Sequence, residues 1–143
     1  MKKVGCAIIG LFIFVLLASF SVAQAPKESS YSKEQIEHFI REVYAESAEG
    51  LFFKNNSLRL KYTTDFLQRV HIVLNPKYKN SKLPLLSSIA LVNDYNPNLK
   101  RELVFDPNSF NPLKYDFAMF NKSRLIVVVD QTDYAIVIEP SKY

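Results

Sequence analysis

Residues 124–139 read RLIVVVDQTDYAIVIE, and the fold turns on how this stretch is read. Leu125, Ile126, Val127, Val128 and Val129 form one aliphatic run, four of them β-branched. Tyr134, Ala135, Ile136, Val137 and Ile138 form a second. Asp130, Gln131, Thr132 and Asp133 lie between, polar and turn-prone. Two β-rich runs around a short polar link predict an antiparallel hairpin. Leu125, Val127 and Val129 share one face and Ile126 and Val128 the other, so both faces are apolar. A strand wetted on one side would alternate, so this hairpin is expected to be central and covered on both sides.

Working outward, the best-specified helix begins near Ser32. Ser32 is a good N-cap, and Gln35 three residues later completes a capping box. Tyr31 and Ile36 occupy the positions of a hydrophobic staple. Ile36, Phe39, Ile40, Val43 and Tyr44 recur at helical period, Ala48 and Leu51 extend the stripe, and Gly50 is the expected break. Glu37 and Arg41 form an i,i+4 pair on the outer face. Residues 51–56 are ambiguous. Leu58, Leu60 and Tyr62 alternate, but a helical turn is equally open there. Thr63 or Thr64 is expected to cap a second helix with Phe66, Leu67, Val70 and Leu74 on its face, stopped by Asn75-Pro76.

Residues 76–84 read as a basic loop carrying Lys77, Lys79 and Lys82. Residues 85–92 are a strand or a short helix. Residues 99–105 suggest an edge strand, with Lys100, Arg101 and Glu102 as the charges edges tolerate. Leu113, Tyr115, Phe117 and Met119 alternate with Lys114, Asp116 and Ala118, predicting a strand with one wet face. The fold class is therefore α+β: two or three N-terminal helices packed on a curved antiparallel sheet of about four strands.

The N-terminus has a different character. Lys2 and Lys3 precede an apolar run over residues 8–20, and small residues flank Ala23 and Ala25. This is the pattern of a secretory signal peptide over residues 1–23, with cleavage preferred after Ala23 because Pro26 disfavours the later site. Residues 24–31 would be a linker and 32–143 a single domain. An uncleaved anchor is the alternative, and only then would the membrane be a partner. Cys6, the single cysteine, precedes the apolar run, so no lipid anchor, disulfide or thiol chemistry is expected of the mature chain. The Lys, Asn, Ile and Phe bias points to a bacterial, secreted or periplasmic protein. Asn55-Asn56-Ser57 and Asn121-Lys122-Ser123 match glycosylation acceptors, which are idle in most bacteria. Eighteen basic and fourteen acidic residues give a net charge of +4. Loss of Lys2 and Lys3 leaves sixteen against fourteen, or +2.

Catalytic signals are sparse. His38 falls off the apolar stripe and is expected in solvent. His71 could line a pocket, with Asp65 as a badly angled partner. Asp116 and Tyr134 are further candidates, Asp116 on what reads as a solvated strand face. Asp94, Asp106, Asp130 and Asp133 sit in turns that account for them. No run has calcium-loop density, no His pair has zinc spacing, and no glycine-rich phosphate loop or nucleophile elbow occurs. No metal and no cofactor are expected. Residues 54–82 carry seven basic residues against Asp65 alone, while residues 28–49 carry six acids against Lys33 and Arg41. Lys77, Lys79 and Lys82 could form a patch for an anionic partner, though two solvated, mutually attracting faces explain the same pattern. Nucleic acid is not an expected partner, since an exported chain with no recognition motif offers it nothing.

The capped first helix, a second helix around Tyr62-Thr63-Thr64-Asp65-Phe66-Leu67, and the closing β-branched hairpin together resemble the cystatin-like domains. These include nuclear transport factor 2-like proteins of bacterial periplasms. The resemblance lies in element order and implies a curved sheet around the long helix with a conical pocket. In that group Asp116 near Tyr134 would resemble an acid–base placement. The Trp common in the final strands is absent here, and Tyr134 would fill its place. The expected function is an exported, non-enzymatic binding or accessory domain. The alternatives are a small pocket enzyme and a subunit that dimerises through its sheet.

Overall fold

A computed structural model of the chain describes residues 31–54 and 57–143. The expected signal peptide, Cys6, most of the linker, and Asn55 and Asn56 lie outside the described residues. The regular elements are α1 (Lys33–Tyr44), α2 (Leu58–Gln68), β1 (Val70–Leu74), β2 (Leu125–Val128) and β3 (Tyr134–Ile138). The class is α+β, with helices preceding the sheet. Among the described residues the sheet has three antiparallel strands in the order β1-β3-β2, so β3 lies between the other two.

The hairpin forms where its sequence places it. Val127 pairs with Ile136 and Leu125 with Ile138. Gln131 takes φ 57° in the connecting turn. Val127, Val129, Ile136 and Ile138 enter one core with Ile36, Phe39, Ile40 and Val43 of α1 and Phe66 and Leu67 of α2. On the opposite sheet face Val128, Ala135 and Val137 are also buried. The hairpin is withdrawn from water on both sides, as two apolar faces require.

α1 follows its cap. The Ser32 hydroxyl accepts from the Gln35 amide at 3.2 Å, and the Gln35 side chain accepts from the Ser32 amide at 2.9 Å. Arg41 donates to Glu37 at 2.8 Å. Tyr31 packs edge-on against Phe39, centroids 5.3 Å apart. The helix also stops short of Gly50. Ala45 takes φ 47° and ψ −128°, and its amide still donates to Arg41 O at 2.9 Å. A π-helical turn, Glu49–Phe53, then buries Phe52 and sets Phe53 beneath the Arg41 guanidinium at 4.7 Å.

The second helix differs from expectation at both ends. Its cap is Ser57, not Thr63 or Thr64; the Ser57 hydroxyl accepts from the Leu60 amide and donates to Phe52 O. It ends at Gln68, and Val70 and Leu74, expected on the helix face, lie in β1. Spacing could not separate the two readings, because residues 66, 67, 70 and 74 satisfy the helical period while 70, 72 and 74 satisfy the strand period. Composition decides: Val70, Ile72 and Val73 are β-branched, stiff at χ1 and suited to the pleat.

The stretch from 75 to 124 holds no further strand. Three 3₁₀ turns (Pro76–Tyr78, Leu86–Ser88, Pro112–Lys114) and isolated bridges at Leu85–Val128 and Leu91–Tyr115 are its only regular features. The strands expected at 99–105 and 113–119 are thus corrected to irregular chain. At 113–119 the alternation nevertheless sorts most side chains properly. Leu113, Tyr115 and Phe117 are buried, and Asp116 and Ala118 are exposed. The exception is Lys114, placed on the wet face by the pattern and buried in fact.

Candidate functional site

Lys114 is the centre of a dense polar cluster. Its side chain is only 7% exposed, and its Nζ lies 2.7 Å from Glu102 Oε1 and 3.1 Å from Glu42 Oε1. The second Glu102 oxygen accepts from the Tyr115 hydroxyl at 2.7 Å. The second Glu42 oxygen accepts from Asn111 Nδ2 at 2.8 Å, and the same amide group reaches Phe39 O at 3.2 Å. Asn111 Oδ1 caps the Pro112–Lys114 turn by accepting from the Leu113 amide. Asn96 donates to Glu42 O at 2.8 Å. Every partner on one side belongs to α1 and every partner on the other to residues 96–115.

The charges match this geometry. Burial pulls the Lys114 pKa down, but hydrogen bonds with Glu102 and Glu42 outweigh it and hold the ammonium above its ordinary range. Burial pulls Glu102 up, and the bonds from Lys114 and Tyr115 more than reverse it, leaving the carboxyl below its ordinary range. The Tyr115 phenol is raised by burial and by donating to the Glu102 carboxylate. A lysine held protonated is no nucleophile, and a carboxylate held deprotonated by two donors is a poor base. The cluster is built as a clamp.

Arg101 extends the clamp. Its Nη1 donates to Leu86 O at 3.0 Å, its Nη2 donates to Ile89 O, and its guanidinium lies 5.5 Å over the Tyr115 ring. The charges at 101 and 102, expected to guard an edge strand, are instead turned inward to hold loops. Phe105 is anchored as well, 5.2 Å from Phe110 and 5.5 Å from Tyr134 between ring centroids. Between these anchors Leu103 and Val104 stand in solvent, 102% and 81% exposed.

No protein-family model matches this chain, and no curated protein or solved structure is significantly similar to it.

The residues picked from sequence do not converge. His71 pairs with Val137 and Tyr134 with Leu74, so their side chains leave opposite faces of the sheet. Asp65, weighed as a partner for His71, binds Arg69 Nε at 2.9 Å. His71 Nδ1 is buried without a hydrogen-bond partner. Asp116 is exposed, and its amide donates to Ala90 O at 2.9 Å. Tyr134 packs against Phe105. Lys77, Lys79 and Lys82 are exposed around the Pro76–Tyr78 turn, with Lys79 3.2 Å from Asp133. His38 is exposed, as expected.

Sequence reading missed Arg69. It is 8% exposed at the α2–β1 corner. Besides Asp65 it donates to Glu139 O at 2.7 Å, Met119 O at 2.6 Å and Asn121 Oδ1 at 3.3 Å. Its local signal was the i,i+4 spacing from Asp65. Its long-range partners had none.

Proposed function

We propose that this chain is an exported binding or accessory domain, secreted or periplasmic, whose recognition element is the tip formed by Leu103 and Val104. One observation carries the reading: two fully exposed aliphatic residues sit between neighbours that are each pinned to the body. Ordering a loop on binding costs about 0.5–1.5 kcal/mol per immobilised side chain, and a loop already held by Arg101, Glu102 and Phe105 avoids much of that cost. Loops set on a rigid scaffold are also where binding residues concentrate. The export half of the reading rests on Lys2, Lys3, the apolar run at 8–20 and the small residues around Ala23. The kinship with cystatin-like domains rests on element order, two helices and then an antiparallel sheet.

Expression in a secreting bacterium tests the first half: the product outside the cytoplasm should begin at Gln24, and an intact N-terminus held in the membrane would overturn export. A photo-reactive residue at position 103 tests the second. In the host's envelope or secreted fraction it should give an adduct of discrete mass, and the same label at the exposed Glu46 should give none. Equal labelling at both positions would remove the tip as the recognition element.

A further inference from the structure

We propose that the face formed by the outer side of α2 with Phe120, Lys122 and Tyr143 docks this chain onto an anionic lipid surface, its rings at the headgroup boundary and its lysines on the phosphates. This inference stands apart from the tip at 103 and 104. The helix supplies the first part of the face. Leu58, Tyr62 and Asp65 recur at i, i+4 and i+7 along one side of α2. Leu58 is 65% exposed. The Tyr62 ring meets two others edge-on, Phe120 at 5.5 Å and Tyr143 at 5.2 Å between centroids. Phe120 and Tyr143 still turn about half their surface to solvent, 51% and 48%. Apolar surface gathered in this way marks a site of contact rather than a scattered exposed residue.

Cations are set around the rings. Lys61 Nζ lies 5.8 Å over the Tyr143 ring, and Lys122 Nζ donates to Tyr143 O. Lys142 is exposed beside Tyr143 in the chain. The acids close by are each held by an arginine: Asp65 by Arg69 Nε at 2.9 Å and Glu139 by Arg124 Nη2 at 2.9 Å. Among the described residues, none of the three lysines is paired with an Asp or Glu side chain.

This chemistry selects the occupant. Tyrosine, with an apolar body and a polar tip, gathers at membrane–water interfaces. Lysine lays its stem along apolar surface and carries its ammonium outward, to the level of lipid phosphates. Apolar burial at the acyl boundary and attraction to anionic headgroups then add. A sugar or a polar peptide would need directional partners, but the amide at this face is already used: Asn121 Oδ1 accepts from Arg69 and its Nδ2 donates to Ser123 O. The contact is peripheral and needs no N-terminal anchor. Among the described residues no helix is long and apolar enough to cross a membrane.

The chain has no Trp, so one placed in the face reports on that face alone. The full chain carrying Phe120→Trp is mixed with phosphatidylglycerol or phosphatidylcholine vesicles, each with and without brominated acyl chains. On phosphatidylglycerol its emission should shift to the blue and be quenched by bromine. Leu103→Trp should show neither change, which separates this inference from the proposed recognition element. Lys61→Gln combined with Lys122→Gln should weaken phosphatidylglycerol binding of the Phe120→Trp chain about tenfold or more. Raising the salt to about 0.5 M should weaken it as well. Tyr143→Trp is the second reporter, should Phe120→Trp disturb folding. Unshifted emission from both reporters on phosphatidylglycerol would overturn the docking. So would equal shifts on the two lipids, equal quenching at 103 and 120, or a shift produced by a soluble anionic polysaccharide and not by vesicles.

Discussion

Around α1, α2 and the three strands, the chain is held by buried aliphatic and aromatic side chains; between residues 75 and 124 it is held largely by ion pairs and capped carbonyls. The first region gathers Ile40, Val43, Leu67, Val70, Val127, Ile136 and Ile138, all fully buried. The second contributes Leu86, Leu99, Phe110, Leu113, Tyr115 and Phe117 to the same core, but without a ladder to fix its backbone. Its backbone groups are satisfied piecemeal by Arg101, Asn111, Asn96 and Arg69. Irregular connections of this length are uncommon in small domains and are usually functional. The difference teaches that burial alone does not position an irregular chain. Apolar contacts are non-directional, whereas hydrogen-bonded charges fix distance and angle.

The largest blow to this contrast should come from the regular half. Ile136→Ala, at the centre of β3, is expected to cost about 4 kcal/mol in urea unfolding, as cavity-forming substitutions in tight cores do. Fluorescence and circular dichroism should report one transition, since β3 supports both neighbouring strands.

Lys114→Met is expected to cost about 3 kcal/mol, because Glu42 and Glu102 would then face each other without their cation. Here the losses should be local. The amides of Val92 and Asp116, which bond to Lys114 O and Ala90 O, should exchange faster while β3 stays protected. Adding Glu42→Gln and Glu102→Gln should recover much of the loss. If β3 loses protection equally, the two regions form one cooperative unit and the contrast fails.

The clamp also predicts a pH window. Glu102 titrates below its ordinary 4.5 when folded, so its contribution is complete above that value and is lost as pH falls through the folded value. Lys114 is raised above 10.5, so its contribution is complete below that value and is lost only as pH rises through the folded one. Thermal midpoints against pH should therefore hold level between these limits as far as the clamp is concerned. Glu102→Gln should soften the acid side and leave the hairpin's response unchanged.

The smallest effect sharpens the boundary of α1. Ala45 sits at φ 47° in a region that favours glycine, and it is exposed. Ala45→Gly should stabilise the protein by about 0.5 kcal/mol, the relief of strain exceeding the added chain entropy. Gly50→Ala, with nothing within 4 Å of the added methyl, should be tolerated.

How much of this was legible follows the same division. The hairpin, the Ser32 cap and the stripe of α1 were readable because each is a local pattern, with partners three, four or a turn apart. β1 was misread because residues 66–74 fit two periods at once. The strands expected at 99–105 and 113–119 were misread because alternation reports which side chains face inward, not whether a neighbouring strand exists. The clamp was illegible because Lys114, Glu102 and Glu42 come together from distant parts of the chain. A lysine in an alternating stretch carries no mark of the carboxylates it will meet.

The sequence by itself therefore determined the two-sided burial of residues 125–138, the start of α1 and the inward set Leu113, Tyr115 and Phe117, since hydrophobic period and cap chemistry act over a few residues. Only the tertiary structure decided that β3 is central, that residues 70–74 form a strand, and that Lys114 is buried. Those outcomes depend on which distant groups arrive to share a hydrogen bond or a charge, and chain closure, not local preference, brings them together.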